Sequence, residues 1–431
     1  MALVSLWRGL LGLEHTAIEN VRRDGDVLVV DVRPMARQRD RCGRCRRRCP
    51  RYDTGRGRRR WRSLDQGTTL TFLEADAPRV RCRQHGVVVA HVPWAAHDAG
   101  HTHTFDAQVA WLATKTSKAA TTELMRIAWR TVGAIIARVW DAAEAAAPTD
   151  GLDGLSRIGI DEISYRRNMK YLTVVVDHDT GLLVWAGEGR SRATLRAFFD
   201  ELGPERCAQL THVSADGASW IEEEVTLCCP NVVIGIDPFH VVKWANEALA
   251  RVRIDAWQDA RRLARFDPPT LTGWARRSQW LPGRDLARGL KGSRFALSKN
   301  PENLTDRQRA KLEWIATADP RLYRAYLLKE ALRLVFQMPP EQARPELDRW
   351  LAWARRCRIP AFVELARKIR RYRDRILTAI EHNLSNGRVE GVNTRIRLLT
   401  RIAFGFHTSH ALIALAMLSL GRHRPALPGR T

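Results

Sequence analysis

The chain has 431 residues, 45% of them hydrophobic, and 71 lysines and arginines against 47 acids give it a formal charge of +24. The length suggests roughly two to four domains with real cores, and the charge calls for an acidic partner, for which nucleic acid is the default. No run approaches the ~20 apolar residues of a membrane span. Residues 410–420 are too short and Ala-rich, and the apolar N-terminus reaches Arg8 and Glu14 without a cleavage-like site, so a cytoplasmic chain with reduced thiols is expected.

Residues 1–100 mix strand-like runs at 27–32, 68–75 and 87–92 with a basic segment. Between Arg37 and Arg62 lie 13 arginines and only two acids, Asp40 and Asp53. A charge run is usually a solvated face or a disordered arm, but cysteines and Trp61 are threaded through this one. Arg46, Arg47, Arg58, Arg59 and Arg60 are the expected phosphate contacts, joined by the arginines at 367–375; such contacts position a duplex without reading sequence. Cys42-x-x-Cys45 and Cys82-x-x-His85 have the paired spacing of a tetrahedral Zn²⁺ site. The 36-residue gap between the pairs exceeds that of a compact ribbon, and Cys49 is an alternative ligand. The bland reading is four reduced side chains without metal. Cys207, Cys228, Cys229 and Cys357 read as buried thiols.

Residues 104–147 are helical by pattern. Their stretch KAATTELMRIAWRTVGAIIARVW has two apolar-periodic segments around a short break, with Thr131 as N-cap of the second. The spacing suits a helix-turn-helix and equally an ordinary helical hairpin. Arg138 is the candidate base reader, since arginine can pair bidentately with guanine. Its alternative is a surface pairing with Asp141 at i+3.

After a linker-like stretch at 148–156 the rhythm changes to strands at 157–161, 170–177 and 182–188, the last two joined by the tight turn DHDTG. A helix at 192–202, a strand at 210–215, a helix at 219–227 and a strand at 232–236 follow, and helix dominates from 238 onward. This order is that of the ribonuclease H-like fold. There the fourth strand lies beside the first and parallel to it, ~4.8 Å away. The expected architecture is multidomain α+β / α/β. A zinc-binding basic domain (1–100) and a helix-turn-helix (101–150) precede a catalytic core (151–250 and 381–431) that a helical insertion (251–380) interrupts. The stretch 244–380 holds Trp244, Trp257, Trp274, Trp280, Trp314, Trp350 and Trp353, read as helix-packing residues.

Three carboxylates carry the chemistry. Asp161 and Asp216 each follow a β-branched run where a strand ends, and Glu390 sits on a later helix. Carboxylates are hard oxygen ligands for Mg²⁺ or Mn²⁺, and a pair of such ions can hold the attacking and leaving oxygens of a phosphodiester in line. Glu162 alternates to the opposite face of the strand, away from Asp216. Asp237 rivals Asp216, but Asp237-Pro238 explains itself as a helix N-cap with proline at the first position. It also lies two strand spacings from the first strand, about 9–10 Å away. Val389, Val392, Ile396 and Leu399 form one stripe of the Glu390 helix, and Asn386, Glu390, Asn393 and Arg397 form the other face.

In their order, RRRWRSLDQG, IGIDEISY, VSADGASW, IDPFHVVKWAN, KGSRFALSKNPENLTDRQRAKLEWI, LYRAYLLKEALR and SNGRVEGVNTRIRLLTRIAFGF resemble the DDE transposases of the ISL3 insertion-sequence family across nearly the whole chain. The resemblance implies metal-dependent cleavage at element ends and joining to target DNA, with Asp161, Asp216 and Glu390 as the triad. It further implies duplex DNA as partner and a homo-oligomer on it. The Asp237-Pro-Phe-His240 spacing resembles an auxiliary motif of related transposases and gives His240 a supporting role. The competing readings are a DNA-binding regulator without catalysis and a ribonuclease H-like nuclease that cuts without joining.

Overall fold

Alternation of apolar and polar residues builds the N-terminal strands: in RVRC, Val80 and Cys82 point inward while Arg79 and Arg81 are exposed. The computed structural model describes residues 7–166, 170–266 and 282–429. The chain divides into two units, Met1–Gly151 with Ile396–Thr431, and Leu152–Arg395. In the first unit, β1 (Thr16–Asp24), β2 (Val27–Pro34), β3 (Arg51–Asp53), β4 (Arg58–Arg62), β5 (Leu70–Asp76), β6 (Arg79–Cys82) and β7 (Gly86–Val89) form two sheets of order β1-β2-β5-β4 and β3-β6-β7. Only the β2–β5 pairing is parallel. Trp61 and Trp94 meet edge to face at 5.4 Å in the core of the larger sheet.

Three helices follow: α1 (His103–Lys115), α2 (Lys118–Met125) and α3 (Trp129–Ala146). Thr102 and Ser117 cap the first two through their hydroxyls. Arg126 closes α2 in the left-handed conformation, and the chain re-enters helix three residues later. The start of α3 differs from the expected Thr131 cap. The helix begins at Trp129 with no side-chain cap, and Thr131 lies inside its first turn. The Trp129 ring lies under the Lys118 ammonium at 4.7 Å. Val132, Ile135, Ile136 and Trp140 form the buried stripe of α3.

In the second unit, β8 (Arg157–Arg166), β9 (Lys170–Asp177), β10 (Leu183–Glu188), α4 (Arg192–Leu202), α5 (Pro204–Gln209), β11 (His212–Ala215), α6 (Ser219–Cys228) and β12 (Val233–Ile236) give a five-stranded sheet of order β10-β9-β8-β11-β12. The first three strands are antiparallel neighbours, and β11 and β12 run parallel to β8. Leu172, Val174, Val175 and Val176 are all fully buried, as in a strand covered on both faces. β8 does not end at Asp161 as its β-branched run suggested: Glu162 to Arg166 go on pairing with β9 as far as Lys170.

Helices then take over: α7 (Pro238–Leu263), α8 (Gly283–Leu290), α9 (Arg294–Ser298), α10 (Asp306–Ala318), α11 (Pro320–Val335), α12 (Pro340–Arg356), α13 (Pro360–Arg371) and α14 (Arg373–Glu381). Proline opens α7, α11, α12 and α13, where its missing N–H costs nothing. Trp350 is buried in their shared core and donates to the Leu328 carbonyl at 2.8 Å, and Trp244, Trp257 and Trp314 pack on that core. Trp353 is exposed, while Trp274 and Trp280 lie outside the described residues. The division between units falls within α15 (Gly387–Ile402), and α16 (Ser409–Leu420) packs on α1 and α3. Among the described residues, no helix is long and apolar enough to cross a membrane.

Candidate active site and metal centre

Strand register brings the two aspartates near one another. Ser214 of β11 pairs with Gly159 of β8, and Asp216 and Asp161 each follow two residues on, Asp216 just past the end of its strand. Asp161 is buried. Its carboxylate accepts from the Glu162 amide and from Asn393 Nδ2 of α15, both at 2.8 Å. Burial raises its pKa, and the charges of Asp216 and Glu390 raise it further, against the Glu162 amide and His240. Asp216 turns the chain after β11: its Oδ1 accepts from the Ala218 amide at 2.9 Å, and Gly217 takes a φ of +82° that L side chains resist. Glu390 is half-buried in the first turn of α15, where the helix dipole favours an anion.

Close packing seats α15 on β8. A Cβ on Gly159 would fall 2.4 Å from Val389 Cγ2 and 3.0 Å from the His178 ring, so only glycine admits the helix at this distance. A buried chain of hydrogen bonds holds the entry to α15. His178 Nε2 meets Ser214 Oγ at 2.6 Å, Ser214 bonds Asn386 Oδ1, and the Asn386 amide donates to Asp237 Oδ1 at 3.1 Å. Asp237 also caps α7 through the Phe239 amide and accepts from His240 Nδ1 at 3.0 Å. Burial works to lower the His240 pKa, but the Asp237 bond and the charges of Asp237, Asp161 and Asp216 outweigh it, and the net shift is upward. Asn386, Asn393, Ser214 and His178 were missed as supports of the site. The sequence signal was present for the asparagines, which share a helix face with Glu390.

Glu162, which alternation turns to the other face of β8 from Asp161, is half-buried and still within the field of Asp216. Burial and then Asp216 push its pKa up to about 7, partly offset by Arg190 at 3.2 Å. β11 ends at Ala215, so Asp216 lies past the ladder, where side chains from both faces of β8 come within Coulombic reach. Lys368 of α13 is a further neighbour that sequence did not single out. It sits 3.5 Å from the centroid of the Trp244 ring and within the influence of Asp216.

The Cys/His pairs converge. Cys42, Cys45, Cys82 and His85 are, among the described residues, the one group of metal-ligating type whose donor atoms all lie within 4.8 Å of one another. Cys42 Sγ is 3.5 Å from His85 Nδ1, Cys45 Sγ is 3.7 Å from Cys82 Sγ, and Cys82 Sγ is 3.7 Å from His85 Nδ1. A tetrahedron with Zn–S bonds of about 2.3 Å has edges of about 3.8 Å, so the four donors fit structural zinc. The Gln84 and His85 amides draw the Cys82 thiol down to about 6, toward the thiolate that metal requires. Cys49 is buried beside the cluster and bonds the Arg47 carbonyl instead. Within the first pair, a Cβ on Gly43 would meet Val89 O at 2.6 Å and His97 Nδ1 at 2.4 Å, so the knuckle packs tightly on β7.

The basic run divides by role. Arg46 and Arg47 are exposed on the knuckle without side-chain partners among the described residues. Arg58 and Arg60 are not free for phosphate. They converge on Glu74, with Asp31 and Asp24 as further partners, because β4 pairs with β5 and brings acids from β1, β2 and β5 onto one face. Arg59 lies over Trp61 and donates to the Ala99 carbonyl at 2.7 Å. Arg138 is committed as well. Both prongs of its guanidinium bond the buried Asp106 of α1, at 2.8 and 3.0 Å, which removes it as base reader and also excludes the pairing with Asp141. In the 367–375 cluster, Arg373 bonds Asp348 at 2.7 Å through two nitrogens and Arg375 pairs with Glu222, while Arg367, Arg370 and Arg371 remain exposed.

Known proteins share this plan. A family profile described as "Transposase" matches residues 158–416. The profile "Helix-turn-helix domain of transposase family ISL3" matches residues 90–140, and "zinc-finger of transposase IS204/IS1001/IS1096/IS1165" matches 38–85. A transposase for insertion sequence element IS1557 from Mycobacterium tuberculosis is 58% identical over 438 aligned residues, covering 100% of this chain and 98% of the relative. A transposase for element IS1001 from Bordetella parapertussis is 28% identical over 405 residues, 93% of this chain and 92% of the relative.

Proposed function

The chain belongs to the ISL3 family of insertion-sequence transposases, and on that premise we propose that Asp161, Asp216 and Glu390 are its DDE triad, carried on a ribonuclease H-like core that the helices α7–α14 interrupt. The observation that carries this reading is that Asp161, buried within β8, feels the charges of Asp216 just past β11 and of Glu390 in the first turn of α15. Their donor atoms do not close to within 4.8 Å, as expected of like charges facing one another. The donors are all oxygen, which suits Mg²⁺ or Mn²⁺. Asn393 Oδ1, buried beside Asp161 without a partner among the described residues, is an acceptor that a cation or its water would satisfy. When bound by the triad, the ion would supply Lewis acidity at the scissile phosphate.

The protein's own groups then position and exclude. Asn393 fixes the rotamer of Asp161, the Asp216 turn fixes its own carboxylate, and Gly159 with the His178–Ser214–Asn386–Asp237 chain fixes the height of Glu390. Asp237 acts as a support of α7 and α15, and His240 as a neighbour of the two aspartates whose charges raise its pKa. In cleavage, water forms a bond to phosphorus while the P–O3′ bond breaks and a 3′-OH leaves. In joining, that 3′-OH bonds to a target phosphorus as the target's P–O3′ bond breaks, so one phosphodiester replaces another. The helix-turn-helix α2–α3 would read element ends, with two or more copies pairing them. The exposed Arg46 and Arg47 would contact phosphates.

Purified protein, labelled element ends and Mg²⁺ test this. Asp161→Asn, Asp216→Asn and Glu390→Gln should each lose cleavage and joining while end binding persists. Normal cleavage by Asp216→Asn would remove it from the triad, and cleavage without strand transfer in the native protein would favour a nuclease.

A further inference from the structure

The last block of the chain has a second half that catalysis does not use. After α15, the segment AFGFHT closes on the first unit, and its Phe404 is 82% exposed. The ring is held out by backbone in a region that bulky residues avoid: Phe404 has φ +50° and Gly405 φ +91°, with the Gly405 amide bonded to the Thr400 carbonyl at 2.9 Å. A helix end of this kind commonly places glycine first. Here phenylalanine takes the strained position, and such outliers gather at binding sites.

The neighbours say what the ring faces. The Phe404 ring lies 6.3 Å from Trp129, the first residue of α3. In a helix-turn-helix, the N-terminal residues of the second helix are those that reach the bases. That N-terminus has no side-chain cap and no acidic residue in its first turn, so its amides favour an anion. Lys118 lies against the same pair of elements, 94% buried, with its ammonium over the Trp129 ring at 4.7 Å and the Phe406 ring at 5.6 Å. No carboxylate pairs with it among the described residues, and burial lowers its pKa. A buried cation without a counter-charge is expensive. Arg130, next to Trp129, and Arg401, three residues before Phe404, are exposed and likewise lack side-chain partners among the described residues.

We propose that the loop at residues 403–408 belongs to the DNA-binding surface: Phe404 packs on sugar or base at the N-terminal edge of α3, and Lys118 takes a backbone phosphate there. The inference rests on α2–α3 being the DNA-reading element, and it makes residues from the far end of the chain part of that interface.

Full-length protein is titrated by fluorescence anisotropy against a duplex carrying the terminal sequence that flanks the gene and against a scrambled duplex. Phe404→Ala should weaken terminal-duplex binding about tenfold, with melting temperature and oligomeric state unchanged, and Phe404→Trp should restore it. Lys118→Met keeps the packed stem and should weaken both duplexes, lowering the slope of log affinity against log salt by about 0.9, one phosphate. If Phe404→Ala and Lys118→Met both bind as the native protein does while Arg130→Ala is impaired, the loop is not part of the interface and the proposal is overturned. If Arg130→Ala also binds normally, the α2–α3 reading has failed and takes the proposal with it.

Discussion

The Cys/His cluster and the proposed carboxylate centre both consist of side chains of metal-ligating type, and they are built in opposite ways. Cys42, Cys45, Cys82 and His85 come from two tight turns whose donors already stand at tetrahedral distances. Asp161, Asp216 and Glu390 come from a strand, the turn after another and a helix, separated by up to 229 residues, and the charges of the other two raise the pKa of Asp161. Thiols and imidazole, mostly neutral without metal, converge at little Coulombic cost, whereas ionised carboxylates repel one another as they close. A closed, preassembled set suits a structural ion, and an open, mutually repelling set suits ions that share their coordination with a substrate.

The sharpest way to break this contrast is to remove zinc. Chelation, or Cys42→Ser, should unfold the β3-β6-β7 sheet while the five-stranded sheet keeps its own melting transition, because metal affinity at such sites is folding energy. Calorimetry with elemental analysis checks this, and a zinc-free protein with an unchanged thermogram would cancel the structural role.

Next in size is Gly159→Ala. The new Cβ would press on Val389 and the His178 ring. Overpacking of this kind costs about 1–3 kcal/mol, and lifting Glu390 away should slow cleavage by roughly 100-fold. End binding should hold. Equal losses in binding and cleavage would mean that the glycine serves folding alone.

Asn393→Ala should come third. It removes a hydrogen bond to a carboxylate, worth about 1.5–3 kcal/mol, so cleavage should fall about 10- to 100-fold and the Mg²⁺ concentration needed for half-maximal rate should rise. An unchanged Mg²⁺ dependence would detach Asn393 from the ligand set.

Glu74 probes the first unit. Burial works to raise its pKa, but Arg60, Arg22 and Arg58 hold it down to about 2. A depressed carboxylate adds stability above its unfolded pKa of about 4.3, and the contribution is lost as pH falls toward 2. Glu74→Gln should therefore lower the melting temperature at neutral pH and converge with the native protein in acid. Parallel melting curves from pH 7 to about 2 would contradict the arginine cage.

The smallest effect belongs to Arg47→Ala on the zinc knuckle: a uniform loss of affinity for all DNA and a salt slope shallower by about 0.9. A loss confined to the terminal sequence would make it a base reader.

Much of this was legible in order and pattern. The strands of the second unit began within two residues of where β-branched runs placed them, with β9 and the helix α4 matching residue for residue, though β8 runs five residues past its expected end. The Val389–Val392–Ile396–Leu399 stripe is buried as its spacing required. The C-x-x-C and C-x-x-H pairs found each other across 36 residues because β4 and β5 pair away in the larger sheet while β3 and β6 pair with each other beside the cluster. Local sequence misled where long-range partners decide. Arg138 carries every mark of a free surface arginine, yet its partner Asp106 lies 32 residues upstream on another helix. Arg58 and Arg60 read as phosphate ligands until β5 delivers Glu74 between them.

By itself, the sequence determined the period of each element, the identity of the chemical donors and the order in which they occur. These depend on covalent spacing and side-chain type, which are local properties. Only the tertiary structure decided which charges are spent on one another. It also decided that Gly159 is a seat for α15, that Asn393 serves Asp161, and that Phe404 stands beside Trp129. Those facts depend on distances through space, and packing alone fixes such distances.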